Sequence, residues 1–175
     1  MIGLELAAAL LLAVAGWSKF RRPGVARSAL TAARLPGASR FSPRLVNRSA
    51  GIAELLVAIG VIAVGGRIGA LLLLLVFASL ALVAARMVRV ERGQDCGCFG
   101  RPTPVTHWHT AVNLVAAVVG AISLIWPGDS IVTSDYQSRN LVVLAGATAL
   151  AYLGYLVMTA LPDLLATVAD LEATS

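Results

Sequence analysis

The chain has 175 residues, 58% of them hydrophobic and 13% charged, with a mean hydropathy of +0.84. A soluble domain carries about 25% charged residues, so this composition excludes an ordinary soluble enzyme or binding module. The formal charge of +5 comes from basic residues grouped between apolar runs, which points to membrane boundaries and away from a nucleic-acid partner.

The first apolar run, residues 2–20, carries only Glu5 before it meets Lys19, Arg21 and Arg22. Ala13-Val14-Ala15 mimics a signal-peptidase site, but a signal peptide has its positive charge before the apolar core. The basic flank here comes after it, so a retained helix with its N-terminus outside is expected. In the following segment Val25, Ala29, Leu30 and Ala33 share one helical face, with Arg27 and Arg34 off it. That pattern fits a short helix lying in the interface. Ser42-Pro43 resembles an N-cap and first helical position, and a second span is expected over 46–65, with Glu54 inside it.

A Gly65-Gly66-Arg67 turn leads to a third span over 68–88, and Ile68 to Ala85 has no charge over 18 residues. The polar stretch "ERGQDCGCFGRP" (91–102) follows. Pro102 to Gly128 is free of charge over 27 residues and Asn140 to Pro162 over 23. Each run is long enough for a membrane helix, which needs about 20 residues; the fourth and fifth spans are placed at 107–126 and 140–161. Between them lies the acidic loop "PGDSIVTSDYQSR" (127–139), edged by Trp126 where an indole suits the interface. After Pro162, Leu164, Leu165, Val168 and Leu171 recur at helical spacing, as in a short amphipathic surface helix over 162–175.

This reading gives one all-α integral membrane domain, a bundle of about five transmembrane helices. Of the 14 Lys and Arg residues, 12 then fall on one side and only Arg67 and Arg139 on the other. Cytoplasmic loops are enriched in Lys and Arg, so the expected location is the cytoplasmic (inner) membrane. The N-terminus is expected outside, and the Cys96–Cys98 loop and the C-terminus inside.

Cys96 and Cys98 are the only cysteines, one glycine apart in a polar loop. A C-x-C disulfide closes a small, strained ring, and strained disulfides exchange readily; Gly97 supplies the backbone freedom such a ring needs. Two such thiols can also bind a soft metal, or serve structure alone. The metal alternative would add His107 and His109, the only histidines, since thiolate plus imidazole suits zinc or copper. The spacing departs from the usual zinc patterns, and residues i and i+2 of a helix point apart. Interfacial packing with Trp108 is the plainer reading of the histidines.

Glu54 sits about eight residues into its expected span, roughly 12 Å deep at 1.5 Å per residue. An ionisable group there costs a few kcal/mol unless paired, and is functional by default. Lys19 is the available counter-ion, because its long stem can snorkel from the end of the first helix. Asn113 enters the membrane to a similar depth from the thiol-bearing side. A buried ion pair that only fixes helix packing remains the alternative to a catalytic role. Glu5 reads as an interfacial charge.

"AGWSKF" (15–20), Glu54 within "AELL" and "DCGCFG" (95–100) ahead of an Asn-bearing helix together resemble the MauE family, the membrane component of methylamine utilisation. The motifs cover about residues 2 to 120. The resemblance implies a four-helix DoxX/MauE-like core plus one helix. It also implies an accessory role in maturing the disulfide-rich small subunit of methylamine dehydrogenase, alongside a thioredoxin-like partner. Carried over by position, it marks Lys19, Glu54, Cys96, Cys98 and Asn113.

The expected function is therefore thiol–disulfide handling at the membrane, either as an oxidoreductase or as an accessory protein. A Cys thiolate, favoured by Lys19 or Arg101, would attack a partner disulfide and the second Cys would resolve it. The partners are the bilayer and a thioredoxin-like protein or an exported client. One pair cannot carry electrons across the membrane unaided, so a quinone or a second dithiol is needed to complete the path. Two alternatives stand beside this: a metal or small-molecule carrier using Cys96, Cys98, Glu54 and Asn113, and a non-catalytic assembly partner.

Overall fold

Inside a bilayer no water is present to satisfy the backbone, so each spanning segment must pair its own N–H and C=O groups. The computed structural model describes residues 2–23, 42–90, 99, 104–127 and 139–174, and among these the chain is helical with no strand. The helices are α1 (Ile2–Arg21), α2 (Pro43–Val64), α3 (Gly66–Val90), α4 (His107–Ile125), α5 (Arg139–Thr159) and α6 (Leu161–Thr174). The first five are long and apolar enough to cross a membrane, so the all-α, five-span expectation holds. Cys96, Cys98, the expected interfacial helix at 25–33 and residues 128–138 lie outside the described residues.

The helix ends follow local chemistry. α2 starts at Pro43, three residues before the expected 46, because Ser42 and Pro43 take the N-cap and N1 positions. Proline fits there, where its missing N–H would be unpaired anyway. α2 and α3 are joined through Gly65 and Gly66, both in the left-handed region at φ 60° and 58°. A side chain at either position would be strained. Thr159 closes α5 with its hydroxyl donating to Tyr155 O at 2.7 Å, and Ala160 leads directly into the tail helix α6.

α1 is the central helix. Half of its membrane window is buried, against 11% for α5. It packs on α2 along one side and α5 along another, while α3 and α4 form a second close pair. Lipid tails are as apolar as leucine, so helices associate here through close packing of small residues rather than through hydrophobic transfer. Ala8, Ala9 and Leu12 of α1 meet Ala58 and Val61 of α2, Leu73 and Phe77 of α3, and Ala116 and Ala117 of α4 in one buried cluster. The outer surface carries large apolar side chains instead: Leu56, Ile59, Leu75, Leu82, Val115 and Leu141 are all more than half exposed.

Two crossings are closest. A Cβ built on Gly16 would lie 2.7 Å from Gly51 O, and one built on Gly51 would lie 2.7 Å from Gly16 O. α1 and α2 therefore touch backbone to backbone. Gly120 of α4 makes the corresponding approach to α3, where a Cβ would lie 2.7 Å from Leu74 N and 3.0 Å from Ala70 O.

The glycine crossings define a stability test. Gly16→Val or Gly51→Val is expected to lower unfolding stability by about 2 kcal/mol, as overpacking does. Gly146→Ala in α5, where an added Cβ meets nothing within 4 Å, is expected to be neutral or mildly stabilising. Thermal unfolding in micelles compares the three; an unchanged midpoint for both valine variants would rule out the close crossing.

Candidate functional site

The Gly16–Gly51 contact fixes what lies one turn further along each helix. A helix turn is 3.6 residues, so Lys19 follows Gly16 and Glu54 follows Gly51 on the same faces. The absent side chains leave the space these two residues use. A Cβ on Gly16 would lie 3.0 Å from Glu54 Cβ, and one on Gly51 would lie 3.0 Å from Lys19 Cβ. Lys19 Nζ donates to Glu54 Oε1. The two side chains are 12% and 5% exposed, so the pair is buried between the helices.

Only one carboxylate oxygen is used this way. Glu54 Oε2 is buried and has no hydrogen-bond partner among the described residues. It belongs to a residue lining a cavity of about 160 Å³. The cavity's other polar lining residues are Lys19, Asn47 and Asn113; the rest of the wall is apolar and includes Leu12, Phe77, Met87, Phe99 and Met158. Its lining comes from the end of α1, the start of α2, the end of α3, the start of α4 and the end of α5. The cavity therefore sits at the end of the bundle where the segments holding 12 of the 14 basic residues connect the helices.

The polar groups around it are held in place. Asn113 Nδ2 donates to His109 O at 2.8 Å, one turn back on α4. Asn47 Nδ2 donates to Pro23 O at 3.1 Å, tying the start of α2 to the chain leaving α1. The Arg48 guanidinium lies over the Phe20 ring at 5.0 Å and that of Arg21 over Trp17 at 5.2 Å, which are cation–π distances. Phe99 is buried, packs with Leu11, Ala15 and Met158, and meets Tyr155 edge-on at 5.1 Å.

Of the residues marked by sequence, Lys19, Glu54 and Asn113 come together around this cavity. Cys96 and Cys98 lie outside the described residues, although Phe99, the next residue after Cys98, lines the cavity. The histidines do not converge: His107 is exposed and His109 is fully buried. His109 Nδ1 accepts the Thr106 N–H at 3.3 Å, the place Glu or Gln takes in a capping box. No cluster of three or more His, Cys, Asp or Glu is present among the described residues. Glu5 differs from an interfacial charge: it is 6% exposed, because α5 covers that end of α1.

Sequence reading had not singled out Asn47 or Phe99. Asn47 lies beside Arg48 and Ser49 at the basic start of the second span, where a polar residue does not stand out, whereas Phe99 is the one large apolar residue in the polar cysteine stretch. The mismatch of Phe99 with its surroundings was the available signal.

The pair should behave as a coupled unit. Removing one partner from a buried ion pair costs about 3–5 kcal/mol, whereas removing both can be nearly neutral. Lys19→Met and Glu54→Gln are each expected to destabilise, and the double variant to recover most of the loss. A double-mutant cycle on micelle unfolding measures this; simple addition of the two losses would show that the residues are not coupled.

No curated protein and no solved structure matches the chain. The profile of the family described as methylamine utilisation protein MauE matches residues 1–127, which takes in α1 to α4 and leaves α5 and α6 outside. With well over half of its length in that match, and with the membrane-spanning helical core described above, the protein belongs to the MauE family.

Proposed function

We propose that this MauE-family membrane protein handles thiol–disulfide exchange through Cys96 and Cys98 and so supports the maturation of partner proteins. The observation that carries the reading is the position of Phe99. The residue directly after Cys98 is buried against α1 and α5 and forms part of the wall that also holds Lys19 and Glu54. The chain that bears the thiols is thus attached, one residue on, to the buried ion pair and its cavity.

The exchange is a pair of displacements. A thiolate of the pair attacks one sulfur of a partner disulfide; an S–S bond forms between the proteins and a partner thiolate leaves. The second Cys then attacks the mixed disulfide, which closes the Cys96–Cys98 ring and releases the other partner thiolate. Two electrons pass to the partner, and the reverse sequence passes them back. A cation close by lowers the thiol pKa and raises the thiolate fraction; Lys19 and Arg101 are the cations this proposal assigns to that role. A thioredoxin-like protein or a client with paired cysteines fits as partner. The charge distribution supports a cytoplasmic face for this end of the bundle.

Two measurements test the reading. Mild oxidation of the purified protein is expected to remove two hydrogens from the monomer by intact mass, with loss of alkylation at both Cys96 and Cys98. Oxidation that yields only an intermolecular dimer would sink the paired-thiol mechanism. A variant lacking one cysteine should then trap a mixed disulfide whose partner can be identified by mass spectrometry.

Orientation is tested in intact cells with a membrane-impermeant maleimide. The native cysteines are expected to react only after permeabilisation and reduction. In a Cys96→Ser, Cys98→Ser background, Ser134→Cys should be labelled without permeabilisation. The opposite pattern would place the thiols outside and make direct exchange with exported proteins the better mechanism.

A further inference from the structure

A buried carboxylate oxygen without a partner calls for a hydrogen-bond donor. Glu54 is 4% exposed; its Oε1 accepts from Lys19 Nζ, and its Oε2 is buried with no partner among the described residues. Such an oxygen costs free energy, and more when it carries charge. A carboxylate only accepts, so the group that completes this corner must donate. Lys19 Nζ has three N–H groups, of which Glu54 Oε1 takes one, and it only donates. One group that serves both residues must therefore give a hydrogen to Glu54 and take one from Lys19. A neutral hydroxyl does both. An ammonium would meet the Lys19 charge, and a carbonyl has no hydrogen to give.

The rest of the wall sets the body that carries the hydroxyl. Apart from Lys19, Asn47, Glu54 and Asn113 the lining is apolar, and the cavity measures about 160 Å³. An apolar cavity of about 150 Å³ stays dry and takes one benzene-sized ring. Water would answer Oε2 but not the apolar wall, which gains its dispersion contacts from a close-fitting apolar body. Phe77, Met87, Phe99 and Met158 belong to that wall. Aromatic edges and thioether sulfurs both favour a flat ring over an aliphatic body. Between α2 and α3 the lining is Val46, Ala50, Leu80 and Val83, all partly exposed. α2 and α3 are membrane helices, so a ligand dissolved in the bilayer approaches from that side.

We propose that this cavity binds a small monocyclic phenol, its O–H donating to Glu54 Oε2, its oxygen accepting from Lys19 Nζ and its ring against Phe77, Met87, Phe99 and Met158. A ring with one hydroxyl suits the volume; a second fused ring does not. Binding makes and breaks no covalent bond, so the inference stands apart from the thiol–disulfide reading and needs neither Cys96 nor Cys98. The hydroxyl becomes a third member of the ion pair that joins α1 to α2. A ligand that binds only the folded bundle also raises its stability by mass action.

The test uses the full chain in nanodiscs, with phenol as probe and toluene as its close isostere without the hydroxyl. Ligand-observed NMR is expected to show saturable phenol binding above that of empty discs. Toluene should bind about tenfold more weakly, the equivalent of one hydrogen bond. Anisole, whose oxygen accepts but cannot donate, and cyclohexanol, which has the hydroxyl without the flat ring, should both bind more weakly than phenol. In the Lys19→Met, Glu54→Leu double variant the preference for phenol over toluene should vanish. Ala84→Phe fills the cavity from α3 and should abolish saturable binding; Ala50→Phe, on the partly exposed wall, replaces it if that variant does not assemble. Toluene, anisole or cyclohexanol binding as tightly as phenol would overturn the assignment. So would phenol binding that both phenylalanine variants leave unchanged, or no saturable phenol binding to the native protein.

Discussion

Lys19 and Glu54 form a largely buried ion pair between two helices, and much of the site's geometry follows from keeping it intact. Charges buried in a low-dielectric interior attract strongly but are expensive to bring there. The attraction is useful only if the two helices are held close and in register. Gly16 and Gly51 do this by removing both side chains at the level just before the pair. Any larger residue at either position would push against the backbone and against the Cβ of the charged residue on the opposite helix. The small residues and the charges are therefore one device, in which contact between backbones sets the reach of the ammonium.

That device accounts for the placing of the cavity. α1 carries the bundle because α2, α5 and the α3–α4 pair all lean on it. Near Gly65 the helices are tied by a short turn, with Gly69 against Val61. At the other end the connections are longer and the packing leaves a gap, which the Glu54 carboxylate, the Asn113 amide and the Phe99 ring border. Its polar lining is limited to Lys19, Asn47, Glu54 and Asn113. The remainder is leucine, valine, alanine, methionine and phenylalanine.

The sequence disclosed the spans well because charge-free runs of Ile68–Ala85, Pro102–Gly128 and Asn140–Pro162 have no other stable environment. It also disclosed the ion pair, since Glu54 within an apolar run requires a counter-ion and Lys19 lies at a helix end that can reach it. The glycine crossing was not legible in the same way. Gly16 and Gly51 are 35 residues apart, and nothing local says that they face each other. Burial of Glu5 was missed because it depends on where α5 lands, which is set by packing rather than by periodicity. His109 was weighed as a metal ligand, whereas its ring closes the start of α4; a histidine three residues after Thr106 is a weak capping signal beside the usual glutamate.

The pairing of Lys19 with a residue 35 positions later has a consequence for how the protein is made. A chain enters the membrane from its N-terminus, so α1 arrives before its counter-charge exists. Until α2 follows, the ammonium has only its own tether to the surface and must stay near the headgroups. α1 therefore reaches its final depth as half of a hairpin, and insertion of the second helix draws the first one in. The approach of Gly16 to Gly51 then brings the two charges within reach of each other, and the remaining helices pack on that pair.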